Sequence, residues 1–267
     1  MDTLPATQDI LQDTLITREN HEGIAILTLN RPKQYNALSS AVLEALHEIL
    51  DRLKMDNSVR VLVIAANGNA FCAGHDLKEM KASNDGVFVR RLFQRCSDMM
   101  LKIAQLPVPV IAEVQGMATA AGCQLVAQCD LAVAAEHARF AVSGVNLGLF
   151  CSTPAVPLSR SISRKRAAEM LMTGEFIDAA TALDWGLVNR VVAAEDLRTT
   201  TLGLAEILKA KPRATLAIGK ALFYRQMEKG IEAAYQDASA TIAGNFMQAD
   251  AQEGVAAFLE KRKPEWL

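Results

Sequence analysis

The sequence predicts an α/β fold, with a mainly parallel sheet built by strand–helix alternation and a helical C-terminal module after it. Two β-branched apolar runs, residues 59–65 and 108–114, each lead into a small-residue turn and then a helix-like segment. Right-handed β-α-β crossovers produce that order, with ligands at the C-terminal ends of the strands. After about residue 160 strand-like runs nearly vanish and helical periodicity takes over. The 267 residues are 51% hydrophobic and only 5% aromatic, which suits one large core with a helical extension. No internal repeat, low-complexity tract or Pro/Gly-rich linker marks an independent second domain.

Taken in order, residues 24–29 read as a strand ended by Asn30-Arg31-Pro32. Ser39 or Ser40 then caps a helix whose Val42, Leu46, Ile49, Leu50 and Leu53 fall at helical spacing. Residues 59–65 are the next strand, 84–106 contain a helix, and 108–114 form a strand after Pro107. A short helix rich in small residues spans 121–129, and 131–135 and 139–142 read as short strands. Helices follow at 163–172, stopped by Gly174, at 178–185, stopped by Gly186, and at 194–210, 214–229 and about 254–262. This divides the chain into a core, 1–195, and a helical module, 196–267. The apolar positions Ala217, Ala221, Leu222 and Met227 exceed what a thin extension buries alone, which predicts packing on another subunit.

A net charge of −2 and the lack of basic runs flanked by aromatics argue against nucleic-acid binding. No segment approaches the length of uninterrupted apolar sequence that spans a bilayer. Residues 1–20 carry Asp2, Asp9, Asp13 and Glu19 without an apolar stretch, which argues against a signal or transit peptide and makes the cytoplasm the expected compartment. Five cysteines, at 72, 96, 123, 129 and 151, have no CxxC spacing, so neither a disulfide framework nor a metal site is expected. His47-Glu48 lacks the second histidine of a metalloprotease helix and reads as solvated surface.

The chemistry concentrates in Phe71-Cys-Ala-Gly-His-Asp-Leu-Lys-Glu-Met80 and Gln115-Gly-Met-Ala-Thr-Ala-Ala-Gly-Cys-Gln-Leu125. Each leaves a buried strand through small residues and opens a helix, so each presents free backbone N–H groups. Two such amides aimed at one point form an oxyanion hole for a thioester oxygen, each donor being worth roughly 3–4 kcal/mol in a transition state.

These segments resemble the crotonase, or enoyl-CoA hydratase/isomerase, superfamily, whose markers run in register over nearly the whole chain. They include Asn30-Arg-Pro-Lys-Gln-Tyr-Asn-Ala-Leu38, the two oxyanion segments, Thr173-Gly-Glu-Phe-Ile-Asp-Ala, Trp185-Gly-Leu-Val-Asn-Arg-Val-Val and Phe258-Leu-Glu-Lys-Arg-Lys263. Val145-Asn-Leu-Gly-Leu-Phe-Cys-Ser-Thr-Pro154 resembles the domain-containing-3 subgroup. The resemblance implies a spiral of β-β-α units with a C-terminal trimerisation module, assembling as a homotrimer or homohexamer. It also implies an acyl-CoA thioester ligand in fatty-acid or related metabolism, with no cofactor beyond the coenzyme A of the substrate. It places the oxyanion amides at His75 and Ala121, and substrate contacts at Lys33, Ala73, Lys78, Gly122, Phe258 and Lys261.

The chain departs from that pattern where hydratases carry two glutamates, one for water addition and one for protonation. Gln124 and Gly144 stand there, so ordinary hydration is expected to be low. Ala121 stands where the family usually has glycine, and its methyl is expected to narrow the slot. Cys151 is a candidate nucleophile, or else a small filler in a tight turn. His75 is a candidate acid or base as well as an amide donor, Asp76 reads as a helix cap, and Gln124 is expected to face the acyl group. An acyl-CoA enzyme of altered chemistry and a non-catalytic acyl-CoA-binding homologue both remain open.

Overall fold

The computed structural model describes residues 15–83 and 85–266. The first fourteen residues, including Asp2, Asp9 and Asp13, lie outside the described residues, as does Asn84 at the expected start of a helix.

The first strands are a hairpin, β1 (Ile16–His21) antiparallel to β2 (Ile24–Leu29). Its two-residue turn, Glu22-Gly23, takes positive φ at both positions, as the twist of a tight hairpin requires. Helix α1 (Ser40–Met55) follows, with Ser39 accepting from the Val42 N–H at 3.4 Å and thereby settling which serine caps. Of the stripe expected from spacing, Val42, Leu46, Leu50 and Leu53 are buried and Ile49 is half-buried, and Leu43 is buried beside them.

Three successive units then build the spiral. β3 (Val61–Ala66) and β4 (Ala70–Cys72) precede helices α2 (Leu77–Ser83) and α3 (Gly86–Gln105). β5 (Val110–Val114) and β6 (Met117–Thr119) precede α4 (Ala121–Gln128), and β7 (Leu131–Ala135) and β8 (Arg139–Ala141) precede α5 (Ser152–Ser161). In each unit the first strand joins a six-stranded sheet, and the second joins a four-stranded sheet. The remainder is α6 (Arg164–Thr173), β9 (Ile177–Asp178), α7 (Ala179–Trp185), β10 (Arg190–Val192), α8 (Leu197–Lys209), α9 (Arg213–Gln226), α10 (Ile231–Phe246) and α11 (Ala249–Leu259). Sheet orders are β1-β2-β3-β5-β7-β10 and β4-β6-β8-β9, parallel except at β1·β2 and β8·β9.

Strand periodicity divides the large sheet between two cores. Ala25, Leu27, Leu62, Ile64, Val110 and Ala112 face the main core with α1 and α3. Ile24, Ile26, Val61, Val63, Ile111 and Val133 face a second core closed by Leu197, Leu204 and Ala205 of α8. Both faces are covered, which explains why these strands read as unbroken apolar runs.

The C-terminal helices differ. α9 and α10 have no fully buried residue, and Ile231, Phe258 and Leu259 are 78%, 82% and 73% exposed. One polar cluster ties α9 to the core. The Lys220 ammonium donates to Asp130 at 2.6 Å and to the Ile103 and Val108 carbonyls, while the Tyr224 hydroxyl and the Val110 N–H donate to the same carboxylate.

Candidate functional site

Loop 30–38 is pinned before the first small-residue turn begins. Tyr35 and Asn36 both adopt left-handed backbone, which asparagine tolerates because its short amide bonds locally. The buried Asn36 side chain accepts from the Arg31 N–H at 2.8 Å and donates to the Asn67 and Ala70 carbonyls at 2.9 and 2.7 Å. Arg31 donates to the Ala37 carbonyl and to Asp76, whose other oxygen accepts from the Lys78 and Glu79 N–H groups. Asp76 therefore caps α2, as its position in the sequence implies.

Leu38 meets His75 in a single parallel bridge: its N–H donates to the Gly74 carbonyl and its carbonyl accepts from the Asp76 N–H. In such a bridge the middle residue's own N–H and carbonyl point away from the partner strand. The His75 N–H has no hydrogen-bond acceptor among the described residues. Gly74 supports this geometry with φ +93°, and a side chain there would reach within 2.8 Å of the Ala120 Cβ and 3.2 Å of the Ala121 nitrogen.

Ala121 is the first residue of α4, so its N–H lies beyond the reach of the helix ladder. The strain in this turn sits at the residue before the helix. Ala121 is ordinary helix, whereas Ala120 holds φ +51°, ψ −120°, a conformation costing about 1–3 kcal/mol outside glycine. It is held by its N–H on the Ala141 carbonyl, 2.9 Å, and by its carbonyl accepting from the Gln124 N–H, 3.0 Å. Gly122 allows α4 to lie against β4, since any Cβ there would overlap the Cys72 carbonyl.

These turns open on a cavity of about 390 Å³ lined by Ala73, His75, Ala120, Ala121, Gly144 and Cys151, together with Leu77, Met80, Phe93, Ser143, Leu147 and the segments 149–150 and 152–154. Ser143 shares a 2.9 Å hydrogen bond with Thr119. Among the described residues no Asp, Glu, Lys or Arg lines this cavity. The His75 ring packs edge-on against Phe93 at 4.8 Å. Both ring nitrogens are buried without hydrogen-bond partners, and burial pulls the imidazole pKa below its ordinary value. The Leu38 carbonyl and Glu79 oppose that shift without reversing it. Cys151 precedes α5 and accepts at Sγ from the Gly144 N–H at 3.2 Å. Burial pushes its thiol pKa up, with the Gly144 amide opposing, so both ionisable groups on the wall are held in their neutral forms.

The second position that departs from the family pattern is closed by packing. A Cβ on Gly144 would sit 2.5 Å from the Leu149 carbonyl and 2.7 Å from the Cys151 sulfur. Gln124 is 3% exposed and lies outside the residues lining the cavity, with its Oε1 buried and unpartnered. Lys33 and Lys78 are exposed, on the Pro32–Gln34 turn and on α2. Phe258 and Lys261 are exposed at the end of α11 and do not line the cavity of this chain. Among the described residues no group of three or more His, Cys, Asp or Glu side chains could hold a metal, and no helix is long and apolar enough to cross a membrane.

A two-sheet spiral of β-β-α units with an apolar cavity at the strand ends is the crotonase fold. The enoyl-CoA hydratase structure from Mycobacterium smegmatis matches it at TM-score 0.93 and 58% identity, over 95% of this chain and 99% of that one. A model of the enoyl-CoA hydratase/isomerase family matches residues 19–267, and the chain belongs to that family. It is similar to mitochondrial enoyl-CoA hydratase domain-containing protein 3 of Xenopus laevis, 46% identical over 96% of this chain and 87% of that protein. The crystal structure of the human domain-containing protein 3 matches at TM-score 0.92 and 43% identity, covering 95% and 100% of the two chains. The subgroup resemblance carried by residues 145–154 therefore stands.

The expected cytoplasmic location does not stand. The Xenopus protein and the human protein, the latter 45% identical over 92% of this chain and 81% of its own length, are both named mitochondrial. A compartment is read from short targeting segments, so the composition and fold of a catalytic-type domain do not determine it.

Proposed function

We propose that the chain is an acyl-CoA thioester enzyme of the enoyl-CoA hydratase/isomerase type, in which the backbone amides of His75 and Ala121 stabilise an enolate or oxyanion. The observation that carries this is the convergence of both turns, each with an unspent N–H, on the cavity that also holds Ala73, Gly144 and Cys151. Preorganised amides act on charge that develops in the reaction and need no side-chain proton carrier. They therefore suit enolate-forming chemistry even where the carboxylates are missing.

Gln124 and Gly144 replace the acid–base pair, so hydration of an enoyl thioester is slow. Cys151 is a thiol held neutral and is a weak nucleophile as it stands. Lys33 and Lys78 are exposed cations suited to the phosphates of coenzyme A. Phe258 and Lys261 would act on a neighbouring subunit's ligand in a homotrimer or homohexamer, an assembly that the exposed apolar side chains of α9–α11 support. The absence of any carboxylate on the wall also favours a second reading, a non-catalytic acyl-CoA-binding protein of the same fold.

Calorimetry with acetyl-CoA and acetoacetyl-CoA, followed by a panel of CoA thioesters read by mass spectrometry, separates the readings. Binding with product formation supports the enzyme, and binding without turnover supports the binder. No heat at millimolar ligand rejects both.

A further inference from the structure

Of the five cysteines, Cys151 alone lines the cavity beside the two small-residue turns. It is 8% exposed, and its sulfur accepts the Gly144 N–H at 3.2 Å. That bond uses a lone pair of the sulfur and leaves the S–H hydrogen unspent, with no acceptor for it among the described residues. A Cβ on Gly144 would stand 2.7 Å from the sulfur, so the thiol fills the space in which a side chain at 144 would begin. Position 144 is one of the two from which the acid–base pair is missing.

An enolate held by the His75 and Ala121 amides must still collect a proton on carbon, and no Asp, Glu, Lys or Arg among the described residues lines the cavity to supply it. Two other ionisable groups lie near the thiol. The His75 ring lines the same cavity, but both its nitrogens are buried and burial favours its neutral form. Cys123 of α4 is close enough for two thiolates to repel each other, and burial pushes its own pKa up to about 12. Cys151 is therefore the group on this wall with a proton free to give.

We propose that the Cys151 thiol is the proton carrier at the carbon next to the thioester carbonyl. The electron pair of the enolate double bond takes the proton from Sγ, so a C–H bond forms, the S–H bond breaks and the negative charge passes from oxygen to sulfur. The thiolate so formed is held by the Gly144 N–H and by the N-terminus of α5, and water restores its proton. In reverse, the thiolate removes a proton from that carbon, so a bound saturated thioester exchanges it with solvent. Burial keeps the thiol above its ordinary pKa and thus in the donor form. The inference rests on the proposed acyl-CoA function and names a proton carrier for that site.

The test is exchange by the full chain in heavy water with butyryl-CoA, a saturated thioester that cannot be hydrated, with deuterium at that carbon read by mass spectrometry. Cys151→Ser keeps an atom that can accept the Gly144 N–H but does not ionise near neutral pH, and Cys151→Ala removes both properties. Each variant should lose roughly 10²-fold or more of the exchange rate. Calorimetry should show butyryl-CoA binding changed by less than about threefold, with circular dichroism confirming the fold. The wild-type rate should climb about tenfold per pH unit between about pH 7 and 9, as the thiolate fraction does below the thiol pKa. A rate that is flat over that range assigns the proton to the His75 ring, already neutral there, and overturns the inference. Variants that exchange within about threefold of the wild type also overturn it, and both results leave the proposed function standing. Binding without exchange in the wild type overturns the inference and favours the non-catalytic reading. No binding overturns the proposed function as well.

Discussion

Two of the places where the molecule buries polar groups treat them in opposite ways. Around Asp130 every group is matched: the carboxylate accepts from Lys220, Tyr224 and the Val110 amide, and Lys220 also satisfies two carbonyls left at the end of α3 and in the following segment. At the cavity the ring of His75 is unmatched: neither of its buried nitrogens has a partner. A satisfied buried cluster holds a fold together and leaves nothing for a ligand. Unmatched groups cost about 1–3 kcal/mol each and persist where a site has another use for them. The two regions therefore divide the labour, α9 being fastened to the core by charge while the cavity stays neutral.

The largest expected effect lies in the chemistry of the neutral cavity. Each positioned acid or base typically contributes roughly 10²–10⁴-fold, so crotonyl-CoA hydration should fall below that of a two-glutamate hydratase by at least one such factor. A stopped assay at equal enzyme concentration checks it, and a comparable rate would mean that His75, Cys151 or an ordered water moves the proton. His75→Ala and Cys151→Ala would then tell which.

The matched cluster gives the next effect. Asp130→Ala strands the Lys220 ammonium in a buried site, and breaking a buried pair in this way costs about 3–5 kcal/mol. Urea unfolding should show that loss, with most of it recovered in Asp130→Ala/Lys220→Met, whereas a loss under about 1 kcal/mol would show that water reaches the cluster.

Gly144→Glu tests how firmly the cavity wall is closed. With 2.5 Å to a main-chain carbonyl and 2.7 Å to Cys151, the new Cβ should destabilise by about 1–3 kcal/mol. Hydration should be regained only if the 145–151 segment moves. Relief by Cys151→Gly should be partial, since the Leu149 carbonyl remains, and thermal shifts of the single and double variants measure it.

His75 should give the smallest and most pH-sensitive effect. Its folded pKa lies below the ordinary 6.5 because the charged ring is poorly solvated. The unfolded chain therefore binds a proton that the folded chain refuses. Its contribution to stability is full above that ordinary value and is lost as pH falls from there through the folded value. His75→Leu should flatten that acid-side decline and raise stability at neutral pH by about 1 kcal/mol, because two unmatched nitrogens are removed. An unchanged slope in pH-dependent urea titrations would show that the ring finds a partner in solution.

Much of this architecture follows from the sequence because it is set by local rules. Alternating apolar residues define the faces of the central strands, the spacing from Val42 to Leu53 defines α1, and Gly174 and Gly186 take left-handed backbone where they stop α6 and α7. The two small-residue turns are legible because only such residues let α4 approach β4. Other elements are not legible. The three-residue strands β4 and β6 are too short to show a period, and α10 has no buried stripe within the chain to reveal it. Loop 30–38 lacks periodicity as well, although Asn36 buried at positive φ is the residue that fixes it.

What the sequence by itself determines is the strand–helix alternation of the core, the family and the identity of Gln124 and Gly144. Only the tertiary structure decides that Gly144 has no room for a side chain, that the strain sits at Ala120 and that Gln124 lies outside the cavity wall. It alone gathers Phe93, Leu147 and Phe150 into one neutral cavity. The physical reason is that periodicity and turn chemistry act within a few residues, whereas close packing, burial and electrostatic neutrality depend on atoms from distant segments that meet only once the spiral is wound.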